Sequence, residues 1–179
     1  MQPARTLNVR HSGALTRWPR FALWAGVGLA GLGLTATSDF ARTHALMINA
    51  SPSLPYWAIW LDRKAVPGRG DVILFDPPPS SLLTRHFGPN PMAFGKLVLG
   101  VSGDIVTAQD RTFFVNGKAV AIAKSVTRLG EPLSLGPTGT IPKGCYFVAT
   151  GHKDGFDSRY AAIGWICRDR VLGIGRPIL

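Results

Sequence analysis

Ser53 is a candidate nucleophile because of the loop-forming residues around it. Residues 49–60 read NASPSLPYWAIW, with Pro52 and Pro55 on either side of the serine. Proline fixes its own φ angle and disfavours the helical conformation in the residue before it, so we expect the hydroxyl on an extended loop. A proline-rich linker would have the same pattern. Since a serine needs a base to become a nucleophile, this segment alone leaves both interpretations open.

Lys96 is the candidate for that base. It begins the run KLVLGV, which is otherwise wholly apolar. Burial removes water from the charged ammonium group and lowers the pKa of the lysine, which leaves a neutral amine able to accept a proton from a neighbouring serine. The alternative is that Lys96 ends its strand and extends its ammonium group to solvent.

Other nucleophile and metal systems have little support in the sequence. A G-x-S-x-G segment is absent, and neither a Cys-x-x-Cys pair nor paired histidines near a cysteine occur, so we predict no metal site and no cofactor. The two cysteines, Cys145 and Cys167, would form a disulfide in an oxidising compartment and stay buried thiols in the cytosol. None of the histidines lies in a recognisable triad context; they are His11, His44, His86 and His152.

Short strands are the elements that must position these residues. The chain has 179 residues, and its 21 glycines and 14 prolines suit strands joined by turns. Asn116-Gly117 is the strongest turn signal and predicts a hairpin. We predict a mainly β domain with an antiparallel sheet and an irregular insertion at 82–95 that could include one helical turn. The predicted strands lie within 71–75, 96–106, 112–123, 145–149, 163–167 and 171–174.

The N-terminal residues predict a basic cytoplasmic tail at 1–20 and a transmembrane anchor at 21–41. The tail carries arginines and no acid, and residues 21–37 carry no charge. This apolar length is at the short end of the membrane-spanning range, and the basic flank predicts that the domain at 45–179 lies across the membrane. A cleaved signal peptide with small residues at 36–38 is the competing interpretation.

The net charge of +10 is compatible with a nucleic acid, an anionic membrane surface or an acidic partner. The basic residues are scattered, and no zinc-finger, helix-turn-helix or aromatic-basic RNA signature occurs. We therefore predict proximity to a membrane and no nucleic-acid partner.

Four segments in a fixed order resemble the type I signal peptidases. The first is the Ser53 loop, whose frame at 49–55, NASPSLP, is most similar to the TraF-like branch of conjugative-transfer peptidases. The resemblance covers roughly residues 45–179 and the preceding anchor. The other three segments are RGDVILF at 69–75, KLVLGVSGD at 96–104, and IPKGCYFVATG with FDSRY at 141–160.

The resemblance implies a Ser/Lys dyad in which Ser53 is the nucleophile and Lys96 the neutral general base. The backbone N–H of Ser53 and the hydroxyl of Ser51 would stabilise the oxyanion. Ser51 is the rival nucleophile, but it is followed directly by proline and fits the family frame less well.

The segment with Asp157, Ser158 and Arg159 matches a motif whose acid and base orient the site in relatives. A buried pair of this kind is often structural, so we rank these residues below the dyad. The sequence departs from the family at Gly155, where many relatives have serine. The partner that orients Lys96 is therefore not identified by the resemblance.

The resemblance implies a serine endopeptidase on the inner membrane, single-pass, with its catalytic domain in the periplasm. It would cut exported precursors after small side chains and work beside conjugation or secretion machinery. The TraF-like frame implies propilin maturation in conjugative DNA transfer, by hydrolysis or by cyclisation. Two alternatives are a general type I signal peptidase and a non-catalytic peptidase-fold component of such an apparatus, which the glycine at 155 suggests.

Overall fold

A computed structural model of the chain describes residues 20–49 and 53–178. The chain divides into two compact units, residues 1–40 and 41–179. Helix α1, Arg20–Thr43, makes up the described part of the first unit and continues into the second. No helix within the described ranges combines the length and the apolar character needed to cross a membrane. The predicted anchor at 21–41 coincides with α1, and its role stays a prediction; most of the predicted tail lies outside the described residues.

The second unit consists of two antiparallel sheets with one further α-helix. Its helices in the described part of the chain are α2, Ser81–Phe87, and a 3₁₀ turn, Arg168–Arg170. The strands, in chain order, are β1 His44–Ile48, β2 Ala58–Asp62, β3 Val72–Phe75, β4 Phe94–Gly100, β5 Ile105–Gln109, β6 Thr112–Val115, β7 Lys118–Ile122, β8 Gly139–Thr140, β9 Cys145–Ala149, β10 Ile166–Cys167 and β11 Val171–Pro177.

The larger sheet has the strand order β1-β2-β11-β3-β4-β9-β10, and the smaller has the order β7-β6-β5-β8. Every pairing between these strands is antiparallel. This confirms the predicted mainly β, antiparallel domain. The Asn116-Gly117 turn joins β6 to β7, and both of its residues have positive φ angles, 50° and 78°, as the predicted tight hairpin requires.

Strand β4 lies in the interior of the larger sheet, between β3 and β9. Successive side chains of a strand point to opposite faces, so Lys96, Val98 and Gly100 share one face, and all three are buried. A Cβ at Gly100 would lie 2.6 Å from Cδ1 of Ile141, so a larger residue there would displace that side chain. Lys96 is thus an interior residue of a core strand, and the alternative that it ends the strand and extends to solvent is wrong.

Three hydrophobic clusters fill the interior of the second unit. One of them joins β2 and β3 to the loop that precedes β2, and Leu54 is its member from that loop. The other members of this cluster are Ile59, Leu61, Val72 and Leu74. Burial of Leu54 therefore fixes the position of the chain immediately after Ser53.

The boundaries of several elements differ from those that the sequence predicts. The helix α2 begins at Ser81 and has 7 residues, so it is longer than the single helical turn expected within 82–95, and β10 is limited to Ile166–Cys167. Strand β11 extends to Pro177, well beyond its predicted end. The two cysteines are directly paired positions of β9 and β10 and form a disulfide, with an S–S distance of 1.98 Å.

Candidate active site

The Ser53 loop is closed by hydrogen bonds from Asn49. The side-chain amide of Asn49 donates to the carbonyl oxygens of Leu54 (3.1 Å) and Tyr56 (2.6 Å), and its backbone N–H donates to the carbonyl of Trp57 (2.9 Å). Ser53 is half-buried in a turn within this loop. The predicted loop conformation is therefore stabilised by an asparagine at its start as well as by prolines.

Residues 50–52 lie outside the described residues, and Ser51 is among them. Its predicted part in the oxyanion hole, and its rivalry with Ser53 as nucleophile, consequently stay predictions.

Lys96 is 5% exposed. Burial in the sheet interior lowers the pKa of Lys96 below the ordinary lysine value; the negative charge of Asp157 opposes this shift and the positive charge of Arg159 adds to it. Its Nζ lies 5.8 Å from the centre of the Phe94 ring. Within residues 20–49 and 53–178 this ammonium group makes no hydrogen bond or ion pair, so the site favours a neutral amine.

The Ser53 loop packs against β4 next to the lysine. A Cβ at Gly95 would lie 3.0 Å from Cδ1 of Leu54, so the two residues are in direct contact. Leu54 follows Ser53 and Gly95 precedes Lys96 in the chain. The fold therefore brings together two segments that are about forty residues apart in the sequence and carry the two predicted catalytic residues.

A groove of about 490 Å³ takes one lining residue from the Ser53 loop and one from β4, but neither Ser53 nor Lys96 lines it. It is lined by Tyr56 from the Ser53 loop, by Val72 and Leu97 from two neighbouring strands, and by the polar side chains of Asp71 and Arg176. Ligand-binding clefts commonly have volumes of about 300–1,000 Å³. Tyr56 thus lines a groove, and the residues that follow it, Ala58–Asp62, form the strand β2.

Asp157 and Arg159 form a buried ion pair, with exposed fractions of 0% and 2%. Two guanidinium nitrogens, Nε and Nη2, each donate to a carboxylate oxygen at 2.8 Å. The guanidinium group of Arg159 also donates to three backbone carbonyls, those of Ile122 at 2.9 Å, Gly155 at 3.1 Å and His152 at 3.2 Å. The pair thus attaches the loop after β9 to the end of β7, and its charges also act on Lys96.

Ser158 is tied to β9 rather than to the lysine. Its hydroxyl accepts the N–H of Val148 at 3.0 Å, and its own N–H donates to the Val148 carbonyl at 2.9 Å. The supporting residues that the sequence predicts therefore lie close together, and Ser158 attaches its segment to β9.

A side chain at position 155 would collide with the ion pair. A Cβ on Gly155 would lie 2.8 Å from Arg159 Nη2, 2.8 Å from Thr150 Oγ1 and 3.0 Å from Asp157 Oδ2. The serine that many relatives have at this position does not fit here without displacement of these groups. The hydroxyl of Thr150 occupies part of the space that a side chain at position 155 would need. Thr150 was not predicted as a site residue, although it is a lone hydroxyl residue at the end of the apolar run CYFVA.

The family model described as "Signal peptidase, peptidase S26" matches residues 18–179. The chain is 31% identical over 117 residues to Signal peptidase I T of Bacillus subtilis (strain 168), a match that covers 60% of this chain and 54% of that protein. It therefore spans about half the length of this curated relative. A crystal structure of a signal peptidase I from Enterococcus faecalis V583 is 25% identical, with a TM-score of 0.40, and the match covers 62% of this chain and 97% of that chain.

Proposed function

Because the chain belongs to the signal peptidase family S26, we propose that it is a serine endopeptidase with a Ser53–Lys96 dyad. The observation that carries the proposal is the state of Lys96. A lysine in the interior of a core strand, 5% exposed and without a hydrogen bond or ion pair in the described chain, has little structural reason to be there. A general base that must be neutral needs this environment.

In the proposed mechanism, one proton moves from Ser53 to Lys96 and then from Lys96 to the leaving amine. The neutral amine of Lys96 takes the hydroxyl proton of Ser53 as Oγ attacks the scissile carbonyl. The oxyanion accepts hydrogen bonds from the Ser53 N–H and the Ser51 hydroxyl. The Lys96 ammonium group then gives its proton to the leaving amine as the peptide C–N bond breaks. Water, activated by the same amine, hydrolyses the acyl ester and releases Ser53.

Leu54 packs over the face of β4 that carries Gly95, whereas Lys96 leaves on the opposite face. The side chains of Ser53 and Lys96 would meet beside the first residues of β4, where the Ser53 loop contacts that strand.

We propose that the substrate is an exported precursor, whose side chains next to the scissile bond occupy the groove beside Tyr56. The frame at 49–55 favours propilin maturation in conjugation, by hydrolysis or cyclisation, with conjugation machinery as the partner. A general type I signal peptidase is the alternative, favoured by the similarity to Signal peptidase I T of Bacillus subtilis.

We further propose an inner-membrane anchor at 21–41 and a periplasmic catalytic domain. Two observations support this topology: the basic residues before α1, and the Cys145–Cys167 disulfide, because disulfides persist in oxidising compartments such as the periplasm.

A processing assay tests the substrate class. The purified full chain is incubated with a propilin and, separately, with a secretory precursor that carries a cleavable leader, and the products are identified by mass spectrometry. We expect the propilin to be cut at least tenfold faster, as a linear or a cyclic product. Equal or faster cleavage of the secretory precursor would favour the general signal peptidase. Cleavage of neither would support the non-catalytic alternative.

The rate of processing should fall as the pH is lowered through the pKa of Lys96. Protonation removes the lone pair that accepts the Ser53 proton, so only the neutral fraction of the enzyme is active. Because burial lowers this pKa, the acidic limb should lie well below the pH at which an exposed lysine titrates. The measurement is kcat/KM across a pH series in which circular dichroism verifies the folded state. A rate that is flat from mildly acidic to alkaline pH contradicts a lysine base.

A further inference from the structure

Thr150 has a buried hydroxyl with no partner. The residue is 4% exposed, and its fully buried Oγ1 makes no hydrogen bond in the part of the chain that the structure describes. Leaving a buried hydroxyl unpaired costs free energy, and such an atom in a folded protein calls for a reason. Thr150 immediately follows β9, at the end of that strand nearest to Lys96.

The strand register sets Thr150 opposite Lys96. Strands β4 and β9 pair Val98 with Val148 and Leu97 with Ala149. One further step of the same antiparallel register pairs Lys96 with Thr150. Residues directly opposite each other project from the same face, with Cβ atoms about 4.5–5.5 Å apart. A hydroxyl one bond from Cβ and an amine at the end of a four-carbon chain can meet across that distance by rotation of side-chain bonds alone.

The surroundings of Thr150 keep this space for its hydroxyl. Gly155 has no side chain, and a Cβ there would lie 2.8 Å from Thr150 Oγ1. The backbone N–H of Thr150 donates to Asp157 Oδ2 at 3.3 Å, which fixes the residue beside the buried ion pair. The charged groups that act on Lys96 are Asp157 and Arg159. Since Asp157 and Arg159 are hydrogen-bonded to each other, we look for another group to orient the amine of Lys96.

We propose that Thr150 is the positioning residue of the general base: its hydroxyl bonds Nζ of Lys96 and directs the amine toward Ser53. The inference rests on the proposed dyad, and it answers the question that Gly155 raises. The hydroxyl that orients the lysine comes from the opposite strand rather than from position 155.

Two variants of Thr150 separate a positioning role from a packing role. Thr150→Val replaces the hydroxyl by a methyl group of similar size, and Thr150→Ser keeps the hydroxyl and removes the methyl. We expect Thr150→Val to lower kcat about tenfold or more on the alkaline plateau, while Thr150→Ser retains most of the activity. The thermal unfolding temperature of Thr150→Val should change little, because valine has nearly the size and shape of threonine and leaves no cavity.

The pH profile provides a readout that a packing role would not move. Loss of the hydroxyl removes the hydrogen bond proposed to stabilise the ammonium group, so the pKa of Lys96 should fall further and the acidic limb should shift to lower pH. A wild-type plateau rate in Thr150→Val overturns the proposal. An unmoved acidic limb, or an equal loss in Thr150→Ser, does so as well.

A second measurement does not depend on catalysis. The ¹³Cε resonance of Lys96, assigned by its absence in Lys96→Met, is titrated in the full chain and in Thr150→Val. We expect the titration midpoint of Lys96 to differ between Thr150→Val and the wild-type chain. Coincident titration curves would overturn the proposed Thr150–Lys96 contact. If the wild-type chain cleaves neither precursor, the proposed function fails, and this titration still decides whether Thr150 acts on the lysine.

Discussion

Replacing Ser53 by alanine, or Lys96 by methionine, should reduce precursor processing by roughly 10⁴-fold or more, the scale on which loss of a nucleophile or its base acts in serine peptidases. The folded state should survive both changes. The loop that carries Ser53 accepts hydrogen bonds from Asn49 at Leu54 and Tyr56, and methionine fills the space of a buried lysine without its amine. The measurement is kcat/KM with the faster-cut precursor, together with thermal unfolding of each variant.

Matched controls are available on the same chain. Ser80→Ala removes a hydroxyl that makes no capping bond at the start of α2, and Lys118→Met removes an exposed lysine from β7. Both controls should process the precursor at the wild-type rate. Full activity in Ser53→Ala or in Lys96→Met would rule out the dyad, and a loss in the controls as large as in the variants would show that the assay reports folding instead.

Breaking the buried ion pair should have the largest effect on stability. Asp157→Ala leaves the guanidinium of Arg159 without its carboxylate in an environment where Arg159 is 2% exposed. Removal of one partner of a buried pair costs about 3–5 kcal/mol, because the remaining charge is uncompensated. The same change weakens the hold of Arg159 on the Ile122 and Gly155 carbonyls, which attach the loop after β9. The free energy of unfolding, from denaturant titration, measures the loss.

Asp154→Asn is the control for this prediction. Asp154 pairs with Lys124 and Arg128 at the surface, where solvent screens the charges, so its replacement should cost much less than that of Asp157. A loss in Asp157→Ala no larger than in Asp154→Asn would mean that the buried pair does not hold the loop.

The strands were predictable because their patterns are local. The run VILF is buried on both faces in β3, and the Asn116-Gly117 turn adopts the positive φ angles that its residue types favour. The sequence indicated at most one helical turn at α2, because the prolines on both sides of Ser81–Phe87 resemble those of an irregular loop. Its buried residue, Leu83, packs into a cluster formed by distant strands, and a local pattern does not show such a contact.

The burial of Lys96 was predictable from its apolar neighbours, but its surroundings were not. The contact of Leu54 with Gly95 depends on how a loop packs on a strand far along the chain. Thr150 was missed for a similar reason. Its position opposite Lys96 follows from the register of β4 and β9, which the composition of neither strand specifies.

Identification of the acylated residue tests the dyad most directly. The purified chain is incubated with a serine-directed acylating probe, digested, and analysed by peptide mass spectrometry. A Ser53–Lys96 dyad predicts one stoichiometric adduct on Ser53 that is lost in Lys96→Met and retained in Lys118→Met. An adduct on Ser51, or cleavage of precursor by a chain in which Ser53 stays unmodified, would contradict it.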